Sequence, residues 1–432
     1  MLKRWLHRLR RPVRRDKGVA LLMVAVMVAV IGAVVGDFSY NARVDLEAAA
    51  NARDQLRAEY LARSGIQLSR LLIKVQQSVL DRNRQFVGDI QIADFAPYLM
   101  KAFGGEKDEQ AGIGALIGVD FSSLQGMGVG KGASFDVTME AEDGRLNVNC
   151  GGGFNDMQRQ QGTYALLSAL FWPPRYNRIF ENADANGQYA SRDDVVRAIL
   201  DWADNDTARY DPIPGQSSGA EDYRYDGTKD PYQAHNHLFD SVEVLSLVRG
   251  VNDELWGSFG EMLTTYGTCK LNIGAIKPEH WPLMAALLRA TVKDDQKQNP
   301  VLLDDALLAG LSQQILGMSK MTGGFQSIQQ FVQLVSNPAS ALGLGGASGG
   351  SSGSTQVTGI PLDQAKVNNV AKVGPRLVWR LDSVGSISRG GPEGKKIQVH
   401  IRAVWDTQHF NQNTTSGDPN DRQGTWIYWR QD

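Results

Sequence analysis

The segment DWADNDTARYDPIPGQSSGAEDYRY, Asp201 to Tyr225, is where this 432-residue chain concentrates residues able to do chemistry. Asp201, Asp204 and Asp206 hang off the end of a predicted helix, and Glu221 with Asp222 returns about fifteen residues later through a Pro/Gly turn. Carboxylates crowded into one loop repel one another. A hard cation that takes six to eight oxygens would settle them, so the loop reads either as a calcium-type site or, more plainly, as a solvated acidic loop.

A second loop, NADANGQYASRD, places Asn182, Asp184 and Asn186 at positions one, three and five, Gly187 at six and Asp193 at twelve, the order of an EF-hand. Asn at the first position and Asp at the last depart from that pattern. The plainer reading is a polar turn that caps the next helix through Ser191.

Matches to enzyme motifs do not assemble into a catalytic set. Ser217 lies in a literal G-x-S-x-G, but Pro212 and Pro214 stand where a buried strand should lead in, and acidic residues follow where a helix should begin. His235 and His237 offer two metal nitrogens with no third His or Cys at ligand spacing. GMGVGKG, ending near Lys131, lacks the first Gly and the Ser/Thr of a phosphate loop. SVEVLSLVRG resembles a helix-hairpin-helix module only through Gly250.

The elements that must position these residues follow from periodicity. YALLSALF, SRDDVVRAILDWADND, SVEVLSLVRGV and ELWGSFGEMLTTY read as helices, as do WPLMAALLRATV and LLDDALLAGLSQQIL further on. SFDVTMEA alternates as a half-buried strand through Phe135, Val137 and Met139. PRLVWRLDSVGSI, KKIQVHIRAVWD and TWIYWRQD read as three closing strands, so a helical domain interrupts a sheet. Residues 341–355, ALGLGGASGGSSGST, have the composition of a linker. Cys150 and Cys269 adjoin the similar segments GRLNVN and KLNIG, which suggest paired strand ends. The two form either one bridge, worth about 2 to 4 kcal/mol in an oxidising compartment, or two buried thiols.

All of this follows an uncharged run, Val19 to Gly36, that nearly spans a bilayer core at about 1.5 Å per residue. The basic leader before it keeps the N-terminus cytoplasmic under the positive-inside rule. Without that leader the chain carries an excess of about nine acidic residues, which disfavours a nucleic-acid partner. The helix is expected to continue to about residue 80, with Leu46, Ala49, Leu56, Tyr60, Leu68, Leu72, Val75 and Val79 as the stripe that packs on the protein's own sheet.

The junction Lys17-Gly18-Val19-Ala20-Leu21-Leu22 resembles the class III signal of type IV pilins and type II secretion pseudopilins. The resemblance implies cleavage between Gly18 and Val19 by a prepilin peptidase, with the apolar helix retained. Most members carry Glu at the fifth mature residue; here that residue is Met23, a mark of the K-type minor pseudopilin at the tip of the pseudopilus. Asp201-Trp202-Ala203-Asp204-Asn205-Asp206 and Gly219-Ala220-Glu221-Asp222-Tyr223 are similar to the K-type D-W-x-D-x-D and G-A-E-D segments. What the likeness implies is calcium at Asp204, Asp206, Glu221 and Asp222, with Asp201 a further candidate that could instead cap locally and Asn236 and Asp240 as additional oxygens.

The implied fold is α+β: a pilin-like long N-terminal helix packed on an antiparallel sheet, with a large inserted helical domain. Residues 1–18 would be the leader, 19–36 the transmembrane half of the helix, 37–150 the first part of the body, 151–340 the inserted domain and 356–432 the closing strands. The implied role is structural rather than enzymatic: a single-pass inner-membrane subunit, its C-terminal domain in the periplasm. It would join minor pseudopilins I and J and the assembly platform to start the pseudopilus for protein secretion. Two other classes fit the same anchor: an adhesive minor pilin of a type IV pilus, and a membrane-anchored periplasmic hydrolase using Ser217 or the two histidines.

Overall fold

The computed structural model describes residues 17–96, 132–152, 157–183, 187–212, 219–221, 225, 231–321, 323–337, 359–389, 394–408 and 424–432. The leader up to residue 16, the phosphate-loop match, Asp184, Asn186, Ser217, Asp222 and the 341–355 linker lie outside the described residues.

Helix α1, Lys17–Val75, continues through a π turn at Gln76–Leu80. Its apolar N-terminal portion is exposed throughout, and it alone among the described helices is long and apolar enough to cross a membrane. The C-terminal half packs on a four-stranded antiparallel sheet in the order β1 (Ala133–Ala141), β6 (Val378–Arg389), β7 (Lys395–Asp406), β8 (Thr425–Gln431). The three closing strands fall where alternation predicts them, and Phe135, Val137 and Met139 all face the core.

The face of α1 that meets the sheet differs from the expected stripe. Ala58, Ala62, Ile66 and Ile73 are buried, whereas Leu46, Leu56, Tyr60, Val75 and Val79 are exposed; Leu68 and Leu72 sit at the margin. Close approach explains the difference. A Cβ added at Gly385 of β6 would collide with the Ala58 carbonyl, one at Gly65 would meet Ser383 and Val137, and Ser383 Oγ donates to the Ala62 carbonyl at 2.8 Å. Backbones this near leave room for Ala and Gly but not for Leu. At the N-terminal end of the contact, buried Asp54 receives Arg389 from the end of β6.

The helical module occupies the chain between β1 and β6. Its core is built by α2 (Met157–Phe171), α3 (Arg192–Ala203), α4 (Asp253–Phe259), α5 (Trp281–Thr291), α6 (Asp305–Met321), α7 (Ile328–Ser336) and α8 (Gln364–Val370). SVEVLSLVRG is not an α-helix: Val242–Leu247 forms a 3-10 helix, and the chain then turns through a left-handed Gly250, where an added Cβ would strike Ala190 and Val195.

The two cysteine-flanking segments do not pair with each other as expected. Leu146–Asn147 (β2) pairs in parallel with Leu263–Thr264 (β3), and Leu271–Asn272 (β4) pairs in parallel with Ala371–Lys372 (β5). Each short strand finds a neighbour from a distant part of the chain, a choice that local pattern does not encode. Cys150 and Cys269 are bonded, Cα to Cα 5.3 Å. At the junction of module and body, buried Asp143 accepts from the Leu377 and Val378 N–H groups, each at 2.8 Å, and from Lys372 Nζ at 2.8 Å. Both connections between the parts therefore converge on one carboxylate.

Candidate metal centre

The acidic loop begins where α3 ends. Ser191 caps the helix with a reciprocal Asp194 contact, and eight of its last nine residues are buried, so its C-terminal turn is held rigidly. The chain extends at Asp204, whose N–H still donates to the Leu200 carbonyl at 3.1 Å. Ala208 and Ala220 then form an isolated antiparallel bridge, flanked by Arg209 N to Gly219 O at 3.1 Å and Glu221 N to Thr207 O at 3.4 Å. That bridge returns Glu221 to the helix end. Carboxylate oxygens of Asp201, Asp204 and Glu221 lie within 4.8 Å of one another, and all three residues are buried.

A third limb closes the site. Asn236, with φ of 50°, donates its amide to the Asp206 carbonyl at 2.8 Å, and the His237 N–H reaches the Trp202 carbonyl at 3.3 Å. The Trp202 ring lies among Tyr225, Tyr232, His235 and Phe239, which sets an aromatic wall behind the carboxylates. Asn149, not singled out by sequence, ties this wall to the module: its side chain accepts from Phe239 N at 2.7 Å and donates to the Phe239 and Thr265 carbonyls at 3.1 Å each. It stands beside Cys150, and only its tertiary partners reveal the role.

The electrostatics of the site are unbalanced. Asp201 accepts from the Tyr210 N–H at 2.6 Å, but Asp204 Oδ1, both Glu221 oxygens and Asn236 Oδ1 are buried without a hydrogen-bond partner among the described residues. Burial pushes the Asp201 carboxyl up to about 7, with the Tyr210 N–H and Arg209 opposing. Burial and the repulsion of Asp206 and Asp201 push Asp204 to about 8, and burial with Asp204, Asp201 and Asp206 pushes Glu221 to about 9. The buried Asp201, Asp204 and Glu221 carboxylates are a group that could hold a hard cation such as calcium, and their burial sets them apart from a solvated acidic loop.

The remaining candidates are distributed as follows. Asp206 is exposed and its carboxylate receives the Ala208 N–H at 2.8 Å; Asp240 is exposed. In the second loop, Asn182 donates to Glu254 at 3.1 Å, while Asp193 is engaged by Tyr164 at 2.6 Å and Arg197 at 2.7 Å. Ser191 performs the capping role there. His235 and His237 are exposed with ring centroids 5.8 Å apart, and they do not join a metal-ligand cluster among the described residues. Gly18, Val19 and Met23 lie in the exposed N-terminal part of α1.

Fold and site together define a class: an α+β protein in which a long apolar-headed helix backs an antiparallel sheet, interrupted by a helical module with a buried acidic cradle. Residues 144–267, which contain the whole cradle, match the family described as "Type II secretion system (T2SS), protein K". Over that segment the chain resembles type II secretion protein K.

Type II secretion system protein K of Aeromonas hydrophila is 37% identical over 107 residues, 24% of this chain and 31% of that protein. The match thus spans about a third of the relative's length. Among solved structures, the crystal structure of the GspK-GspI-GspJ complex from the enterotoxigenic Escherichia coli type 2 secretion system is similar at a TM-score of 0.41 and 12% identity, over 79% of this chain and 93% of that one.

Proposed function

We propose that this chain is the minor pseudopilin at the tip of a type II secretion pseudopilus, where it joins companion minor pseudopilins and starts assembly of the fibre. The protein K domain at residues 144–267, inserted between the strands of a sheet backed by a membrane-length helix, carries this reading. In this role Val19 becomes the mature N-terminus after prepilin peptidase acts, α1 stays in the inner membrane, and the sheet and module stand in the periplasm. Met23 in place of a buried carboxylate suits a subunit with none above it, because an unpartnered charge among apolar helices is costly. The action is mechanical rather than catalytic.

Asp201, Asp204, Glu221 and the Asn236 side-chain oxygen would hold calcium, with Asp206 and, by its place in the sequence, Asp222 as further candidates. The ion would supply the positive charge that the carboxylates lack. The chain's own residues do the positioning: the Ala208–Ala220 bridge fixes one limb to the other, and Asn236 joins the third.

The test is mass spectrometry of protein extracted from membranes of cells with and without a prepilin peptidase, followed by co-purification with the companion minor pseudopilins. Mature protein starting at Val19 and a stable complex are expected. An intact leader in cells that contain the peptidase overturns the assignment.

A further inference from the structure

The turn packed beneath the acidic cradle also carries one half of the disulfide. Val148–Gly151 is a short 3-10 helix that contains Cys150. A Cβ added at Gly151 would meet Leu200, and one at Gly152 would collide with the Ala203 carbonyl, so this turn lies against the last turn of α3. Leu200 and Ala203 bracket Asp201 and Trp202. Packing this close leaves the helix end no room to shift independently of the turn.

The same turn holds the third limb of the cradle. Asn149 binds both the N–H and the carbonyl of Phe239, three residues beyond Asn236, and the Phe239 ring stacks on Trp202 with centroids 6.3 Å apart. Asn149 also donates to the Thr265 carbonyl, and Asn147 donates to the Gly267 carbonyl, each at 3.1 Å. Both carbonyls lie within four residues of Cys269. The Cys150–Cys269 bond therefore fixes the stretch on which these two amides depend, a task that neutral hydrogen bonds alone perform only modestly. Cys150 is buried and Cys269 half-buried, so a dissolved dithiol reaches the pair from the Cys269 side.

We propose that the disulfide and the cradle are thermodynamically coupled through Asn149. The bonded form holds the oxygens of Asp201, Asp204, Glu221 and Asn236 in cation-binding positions, and reduction lowers their affinity for calcium. This rests on the calcium reading given above. A dithiol supplies the two electrons, closes to its own cyclic disulfide and leaves thiols on Cys150 and Cys269. By linkage, calcium changes the reduction equilibrium by the same factor that reduction changes calcium affinity. The cradle thus fills once the chain has been oxidised, and fills poorly before.

The test uses the full chain in detergent micelles. Isothermal titration with calcium chloride, at a temperature where circular dichroism shows both redox forms folded, should give binding about 5-fold or more weaker after reduction with dithiothreitol. In buffers of fixed oxidised-to-reduced dithiothreitol ratio, saturating calcium should shift the disulfide equilibrium by the same factor relative to chelated protein. Asn149→Ala should weaken binding in the oxidised protein and remove most of the difference between redox forms, a pattern that a general loss of stability does not produce. Should that variant fail to fold, the two wild-type measurements decide. Equal calcium affinity in both redox forms, a redox difference that survives Asn149→Ala, or unfolding of the whole chain on reduction overturns the coupling alone. Absence of calcium binding by the oxidised protein overturns the metal reading and the coupling with it.

Discussion

Asp204 and Glu221 approach from opposite limbs of one loop and bring buried carboxylate oxygens within 4.8 Å of each other, with no donor among the described residues on Asp204 Oδ1 or on either Glu221 oxygen. A folded protein keeps such a pair only with a proton or a cation between them. Calcium at about 100 times its dissociation constant should therefore add roughly 2.7 kcal/mol of stability, read as a rise of several degrees in Tm over the chelated protein. Asp204→Asn/Glu221→Gln should lose that response while folding without metal. An unchanged Tm on chelation of the wild type would argue against a metal here.

The same carboxyls give the chelated protein a pH dependence. Folded Asp201, Asp204 and Glu221 hold protons up to about 7, 8 and 9, whereas the unfolded chain releases them near 4. The folded state thus binds more protons between these limits, and stability falls as pH rises from about 4 to about 9. Tm of the chelated protein should be higher at pH 5 than at pH 8, and calcium should recover the loss at pH 8. In Asp204→Asn/Glu221→Gln the slope should flatten, which separates these groups from the other titrating residues.

Gly385 fits against the Ala58 carbonyl with no room for a Cβ. Gly385→Val should force helix α1 away from the sheet and cost on the order of 3 kcal/mol, near the upper end for overpacking, measured by urea unfolding in detergent. A cost below about 0.5 kcal/mol would mean that the helix and sheet are not in contact.

Leu56 and Ile66 distinguish the two faces of α1. Leu56 is exposed and Ile66 fully buried. Leu56→Ala should change stability by less than about 0.5 kcal/mol, and Ile66→Ala should cost about 2 to 5 kcal/mol in the same unfolding measurement. The reverse order would restore the Leu/Tyr stripe as the packing face.

The Cys150–Cys269 bond closes a loop of separation 119 that encloses the acidic cradle. Reduction, or Cys150→Ser/Cys269→Ser, should lower stability by about 2 to 4 kcal/mol. Equal unfolding midpoints with and without reductant would show that the bond contributes nothing.

The sequence by itself determined the parts whose signal is local. An uncharged run after a basic leader marks the long apolar helix, strict alternation marks β1 and the three closing strands, and carboxylates with Trp202 and a Pro/Gly turn mark the cradle. Each depends on residue type at short spacing, which reports burial against an unspecified neighbour. Tertiary structure decided which neighbour. It selected Ala58, Ala62 and Ile66 over Leu56 and Tyr60, because Gly385 and Gly65 allow a backbone approach that larger residues would prevent. It sent β2 to β3 and β4 to β5, since a two-residue strand carries no register of its own. It also chose among the acids, burying Asp201, Asp204 and Glu221 and leaving Asp206 and Asp240 exposed, because only the bridge at Ala208 and Ala220 fixes where the second limb returns.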